Sequence, residues 1–276
     1  MDDKQHPSWS NAPYGQPILG AVNWGGLKTL YVKEVRRFFK VQLQTVWGPA
    51  VTTLLYLAIF TIALGRGGRE MMGVPFADFL APGLIVMGMI QAAFANASFS
   101  LLVGKIQGTI VDYLMPPLST GELMAGLVGA SVTRGFLVGG AVWLVMALWP
   151  GVSVVPVHPL AALWFGLMGT LLLSFLGLLT SFWAEKFDHA AMVTNFVVAP
   201  LALLSGTFYS VEALSESFQA ASHANPFFYV ISGFRYGFIG VADSPVMVGA
   251  IGLAILNAGL FALCYRLLST GWKIKN

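Results

Sequence analysis

Charge is what this sequence has least of: Asp, Glu, Lys and Arg make up 10% of its 276 residues, against about 25% in a soluble domain. Water cannot be the solvent for most of such a surface, so a soluble globular fold is excluded. Cysteine is nearly absent as well. The single Cys264 lies in the last apolar run, so neither an intrachain disulfide nor a multi-cysteine metal site can form. The four histidines, His6, His158, His189 and His223, fall in the tail or in loops without metal-ligand spacing, and no metal is expected. A phosphate-binding loop is missing too. The only Gly-Lys pair, Gly104-Lys105, is followed by Ile106 and lacks the earlier glycine of a P-loop, which leaves no nucleotide site in this chain.

Hydrophobic residues supply 57% of the chain, and its 31 Gly, 20 Phe and 8 Trp suit helices that pack closely in lipid and anchor at its interfaces. A bilayer core about 30 Å thick needs roughly 20 apolar residues in a helix. Six stretches reach that length: Leu43 to Leu64, Ala81 to Val103, Leu123 to Trp149, Leu160 to Trp183, Ala190 to Tyr209 and Val246 to Leu267. The expected fold is an all-α integral membrane protein, one domain over residues 24–276 behind a flexible tail of residues 1–23. That tail carries Asp2, Asp3, Pro7, Pro13 and Pro17 without an apolar core, which argues against a cleaved signal peptide. A seventh apolar region, Pro226 to Gly240, is interrupted by Gly233, Arg235 and Gly237 and is too short to cross alone. It reads as re-entrant or interfacial.

Basic residues choose the orientation. Lys4, Lys28, Lys33, Arg36, Arg37, Lys40, Lys105, Lys186, Arg266, Lys273 and Lys275 fall on one side, against Arg66, Arg69 and Arg235 on the other. The positive-inside rule then places both termini in the cytoplasm. The formal charge of +3 is accounted for by these helix ends, and no nucleic-acid partner is expected.

Before the first span, Leu27, Leu30, Tyr31, Val35 and Phe38 recur at helical spacing, with Lys33, Arg36, Arg37 and Lys40 opposite. This predicts an interfacial helix, either a plain lipid anchor with a solvated basic face or a docking element. Glu34 falls within the apolar arc and needs a partner that lipid cannot supply; Arg37, one turn away, and another protein are the two candidates. In the loop Gly104 to Glu122, Ile106, Ile110 and Leu114 predict one side of a short helix ended by Pro116 and Pro117. Ser119 or Thr120 with Glu122 marks the start of the third span. On the external side, Ser210 to Gly240, broken at Asn225-Pro226, predicts two short helices in a hairpin.

Within the spans the search for chemistry returns one charge, Arg134, with no Asp or Glu in any span to neutralise it. A central arginine costs about 2.5–3.5 kcal/mol on insertion scales. Three roles are open to it: a structural residue bound to backbone carbonyls or snorkelling outward, a contact for an anionic substrate headgroup, or a conformational switch. The same lack of acids disfavours a proton-driven carrier. Gly129-Ala130-Ser131 bears a faint likeness to an intramembrane protease motif, but no histidine within a span could activate Ser131, and no catalytic residue is expected. Pro200, central to the fifth span, is the best hinge candidate, with tolerated local irregularity as the alternative.

Three segments carry a resemblance: FLAPG at Phe79 to Gly83, Met115-Pro116-Pro117 within GTIVDYLMPPLSTGE, and Asn225-Pro226 followed by YVISGFRYGF at Tyr229 to Phe238. With the order of elements from Trp24 to Trp272, they make the chain similar to the type-2 permeases of ATP-binding-cassette exporters, in the branch accompanying drug-resistance, nodulation-factor and capsule or polysaccharide exporters. The resemblance implies a multi-pass permease of the bacterial inner membrane, a homodimer whose first and fifth spans form the path. Two copies of a separate ATPase, holding the ATP and Mg, would dock on it. It implies that Glu34, Arg37, Gly108, Asp112, Met115, Pro116 and Pro117 belong to the coupling face, and that Asn225, Pro226 and Arg235 belong to the external hairpin. Leu114-Met115 departs slightly from the aliphatic pair expected there. The cargo would be amphipathic, lipid-linked or drug-like. Two rival classes are a passive or ion-coupled carrier or scramblase, and a membrane-embedded enzyme.

Overall fold

The computed structural model describes residues 20–64 and 70–273. Lys4, His6, Arg66, Arg69 and Lys275 lie outside the described residues, as does the tail up to residue 19. Helix α1 (Trp24–Phe39) precedes the first span, which opens with a π-helical turn (Leu43–Trp47) and continues as α2 (Gly48–Leu64). A two-residue antiparallel ladder, Glu70–Met71 with Val74–Pro75, leads into α3 (Phe76–Ile106). Next come the single turn α4 (Val111–Leu114), then α5 (Thr120–Ala147) and α6 (Pro159–Trp183). The fifth span is α7 (Phe187–Val193), a second π-helical turn (Thr194–Val198) and α8 (Ala199–Leu204). The hairpin helices α9 (Glu216–Ala224) and α10 (Pro226–Ile239) follow, and α11 (Val246–Thr270) is the last span. Six helical stretches among the described residues are long and apolar enough to cross a bilayer.

Three boundaries differ from the sequence reading. Helix α3 begins at Phe76, so Asp78 lies in its first turn, where its carboxylate accepts a bond from the Ser153 amide at 2.7 Å. The fifth span stops at Leu204, short of Tyr209, because Gly206 turns the chain at a φ of +76°. In the loop, Ile106 belongs to the end of α3. Gly108, at a φ of +71°, separates it from α4, so the expected helix is reduced to one turn.

Helix α3 is the central post: 83% of its most apolar stretch is buried, against 22% for the first span, 17% for the fifth and 17% for α11. It packs on α5 and α6, and α10 lies across α3 and α6. A side chain on Gly233 or Gly237 would drive into the Phe165 ring or the Ala162 backbone, so these glycines set how closely α10 seats on α6. The fifth span meets the bundle mainly at its two ends, α7 against α3 and α6 and α8 against α10. In its middle Val198 is buried in the core, while Asn195, Phe196 and Val197 are exposed.

The first and fifth spans use the same device. Pro49 and Pro200 each follow a π turn by two residues, and the bond closing each turn runs from Gly48 to Leu43 and from Ala199 to Thr194. A proline has no N–H and its ring crowds the carbonyl four residues back, so the turn before it widens by one residue.

A platform, a tied hairpin and a cavity

At the α1 end of the bundle, Glu34 is fully buried. Its carboxylate accepts bonds from the Tyr113 hydroxyl at 2.9 Å and the Ser100 hydroxyl at 3.0 Å, and pairs with Arg37 at 2.9 Å. Of the two candidate partners, Arg37 is the one the structure shows, joined by Tyr113 and Ser100, and Glu34 turns inward instead of presenting a charge at the surface. Arg37 continues inward, donating to the Asn96 carbonyl at 3.0 Å and to Ser100 at 3.0 Å. Asn96 donates in turn to Ser131 at 3.0 Å. Ser131 thus has a structural partner on α3 besides its bond to the Leu127 carbonyl.

Tyr113 locks the loop onto this cluster. Burial, and then the neighbouring Glu34 carboxylate, push its phenol well above the ordinary value of 10.0, so it remains a donor. The Lys33 ammonium sits 3.6 Å from the centre of its ring. A second tie is made by Asn23. It caps α1 by accepting from the Gly26 amide at 2.9 Å, donates its own amide N–H to Glu122 at 2.6 Å, and reaches the Pro117 carbonyl at 3.1 Å. Glu122 forms the expected capping box with Ser119. Leu30 packs against Gly126 of α5, so α1 is seated on protein as well as on an interface. On this mount, Gly108, Asp112, Met115, Pro116 and Pro117 are exposed, Met115 at 79%. Lys105 points elsewhere: its ammonium caps the end of α6 by donating to the carbonyls of Ser181, Phe182 and Ala184.

At the opposite end, the hairpin is tied to the fifth span. Asn225 caps α10 through the Phe227 amide at 3.0 Å and donates to the Leu201 carbonyl at 2.8 Å; Ser222 donates to Leu204. Arg235 is fully buried and paired with Asp243. It also donates to the Gly206 carbonyl at 2.6 Å and lies 3.9 Å from the centre of the Phe79 ring. The FLAPG and YVISGFRYGF segments therefore meet each other around one guanidinium. Arg134 is accordingly not the sole shielded cation; what the sequence reading missed is this pair, whose only signal was Asp243 three residues beyond the left-handed Gly240 that turns the chain back.

Between the platform and the hairpin lies a cavity of 660 Å³, walled by α2, α3, α5 and the fifth span. Pro49 and Thr194 line it near the platform. Tyr56 and Phe60 pack their rings on Phe208 at the far end, with centroids 6.1 and 4.6 Å apart. Gln91 and Arg134 line it together with Thr52, Thr53, Tyr56 and Thr194, and so does Ala199, the residue before Pro200. The Arg134 Nε is buried with no hydrogen-bond partner, and no ion pair among the described residues includes Arg134.

Comparison with known proteins agrees with this architecture. Over 254 residues the chain is 36% identical to the inner membrane transport permease YadH of Escherichia coli K12, covering 92% of this chain and 98% of that protein. It is 26% identical to nodulation protein J of Sinorhizobium fredii, over 92% of this chain and 94% of the relative. Against nodulation protein J of Neorhizobium galegae the identity is 24%, over 86% and 90%. With residues 26–239 also matching the family's pattern, and six apolar helices around a central post, this multi-pass chain belongs to the ABC-2 type transporter family, the transmembrane subunits of ABC transporters.

Proposed function

We propose that this chain is the permease of an ATP-driven exporter, working as a homodimer with two copies of a separate ATP-binding chain that supplies ATP and Mg. The α1 end faces the cytoplasm in this reading, since Lys28, Lys33, Arg36 and Lys40 are exposed there. The observation that carries the proposal is the platform: an exposed loop, Gly108 to Pro117, mounted on a buried carboxylate cluster that joins α1, α3 and α4. An exposed Met115 beside two prolines is a compact apolar knob, which suits a socket on another protein better than contact with water. Asp112, exposed next to it, offers a charged contact. Closure of the partner would push on this knob, and Tyr113 and Asn23 would pass the displacement to α1, α3 and α5 together.

The same reading sends an amphipathic, lipid-linked or drug-like molecule outward between the first and fifth spans. Pro200 and its π turn let the fifth span bend, and its exposed face meets the partner protomer. Relatives named as an inner membrane transport permease and a nodulation protein support the transport role and the inner-membrane site. The test is purification of the tagged chain together with a co-expressed ATP-binding chain from the same organism. Asp112→Lys is expected to reduce the ATPase activity of the complex several-fold while the chain still inserts in the membrane. Undiminished activity in that variant removes Asp112 from the coupling face, and failure of any ATP-binding chain to copurify overturns the proposal.

A further inference from the structure

We infer that the cavity beside Arg134 binds the anionic group of a single-chain amphiphile, with the guanidinium as its anchor and the apolar walls holding the chain. That this ligand is cargo rests on the exporter reading above; that it binds does not. A cation placed among helices normally has a carboxylate or a set of carbonyls to meet it. Arg134 has neither among the described residues, and its Nε is buried without a hydrogen-bond partner. Among the described residues no acid lines the cavity.

The neutral polar groups sharpen the assignment. Thr52, Thr53 and Thr194 line the cavity, but each spends its hydroxyl on a carbonyl of its own helix. Gln91 makes no side-chain bond among the described residues and lines the same space as Arg134. A guanidinium and a free amide around a largely apolar hollow fit a phosphate, sulfate or carboxylate carried on a hydrocarbon chain. The volume of 660 Å³ lies within the range of about 300–1,000 Å³ typical of small-molecule sites.

The measurement uses the purified full chain in nanodiscs, with dodecyl phosphate, dodecyl maltoside, dodecyltrimethylammonium and inorganic phosphate as probes. Dodecyl phosphate is expected to bind wild-type protein about tenfold or more tightly than Arg134→Gln, the equivalent of one charge-assisted hydrogen bond. Arg134→Lys should recover part of that loss. Because nothing among the described residues pairs with Arg134, Arg134→Gln is expected to melt no lower than wild type; a lower melting temperature assigns the residue a structural role and overturns the inference. Equal binding of dodecyl phosphate by wild type and Arg134→Gln overturns it too, as does preference for the cationic or neutral probe. Inorganic phosphate binding as tightly as dodecyl phosphate would exclude the amphiphile and leave a simple anion site. None of these readouts involves ATP, so their failure is distinguishable from failure of the exporter reading.

Discussion

Two buried acids, Glu34 and Asp243, each depend on an arginine, and the two pairs should respond differently to mutation. Arg235–Asp243 is sealed from solvent on both sides. Replacing Arg235 with Met leaves a buried carboxylate unpaired, at a cost of about 3–5 kcal/mol. Arg235→Met is therefore expected to lower the melting temperature in detergent sharply, and Arg235→Met with Asp243→Leu to recover much of the loss. Glu34 keeps Arg37 and Ser100 when Tyr113 is changed to Phe, so that variant should lose only about 1.5–3 kcal/mol, the worth of a hydrogen bond to a charged group. The sign of the Tyr113 shift sets its pH behaviour. With a folded pKa above 10.0, its stabilisation is complete below the ordinary phenol value and lost as pH rises toward the raised one. A difference in melting temperature between wild type and Tyr113→Phe should thus stay constant from pH 6 to 9, and shrink only in stronger alkali.

The π turns act through whole spans. One added residue in a helical turn rotates everything beyond it by about 100° relative to an unbroken helix, so Pro200 governs which face of α8 meets the cavity. Pro200→Ala should relax the turn at Thr194–Val198 and move Leu203, a change measurable as a shifted distance between spin labels on Tyr56 and Leu203. An unchanged distance would make the irregularity incidental. Much at this scale was legible beforehand. The six spans follow from apolar length alone, and Ser119 with Glu122 announced the start of α5 by chemistry that acts over three residues. The π turns were not legible, because a proline in a span signals a disturbance without saying how the backbone absorbs it. Nor was the meeting of Glu34 with Tyr113, 79 residues apart; spacing along one helix found the need for a partner but could not reach across the fold. Arg134 stood out at once as a lone charge, yet the cavity beside it is lined from four separate stretches of the chain, which spacing along any one of them cannot give.

Over the whole molecule, burial is uneven in a way that carries consequences. Helix α3 is nearly enclosed, while the first span exposes Leu55 and Ile59 and the fifth exposes Phe196 at 78%. Helix α11 also exposes Ile251, on a different wall. If the first and fifth spans face a second copy, single cysteines at Ile59 or Phe196 should crosslink between protomers in membranes, and a cysteine at Ile251 should not. The native Cys264 is buried and gives no background. In the exporter proposed above, this chain supplies the path and the mount, and a separate ATP-binding chain supplies the motor. The most direct test follows a fluorescent single-chain amphiphile in liposomes holding the chain alone or with its ATP-binding partner. Accumulation only with the partner and ATP is the predicted result, and full transport by the chain alone without ATP would contradict it.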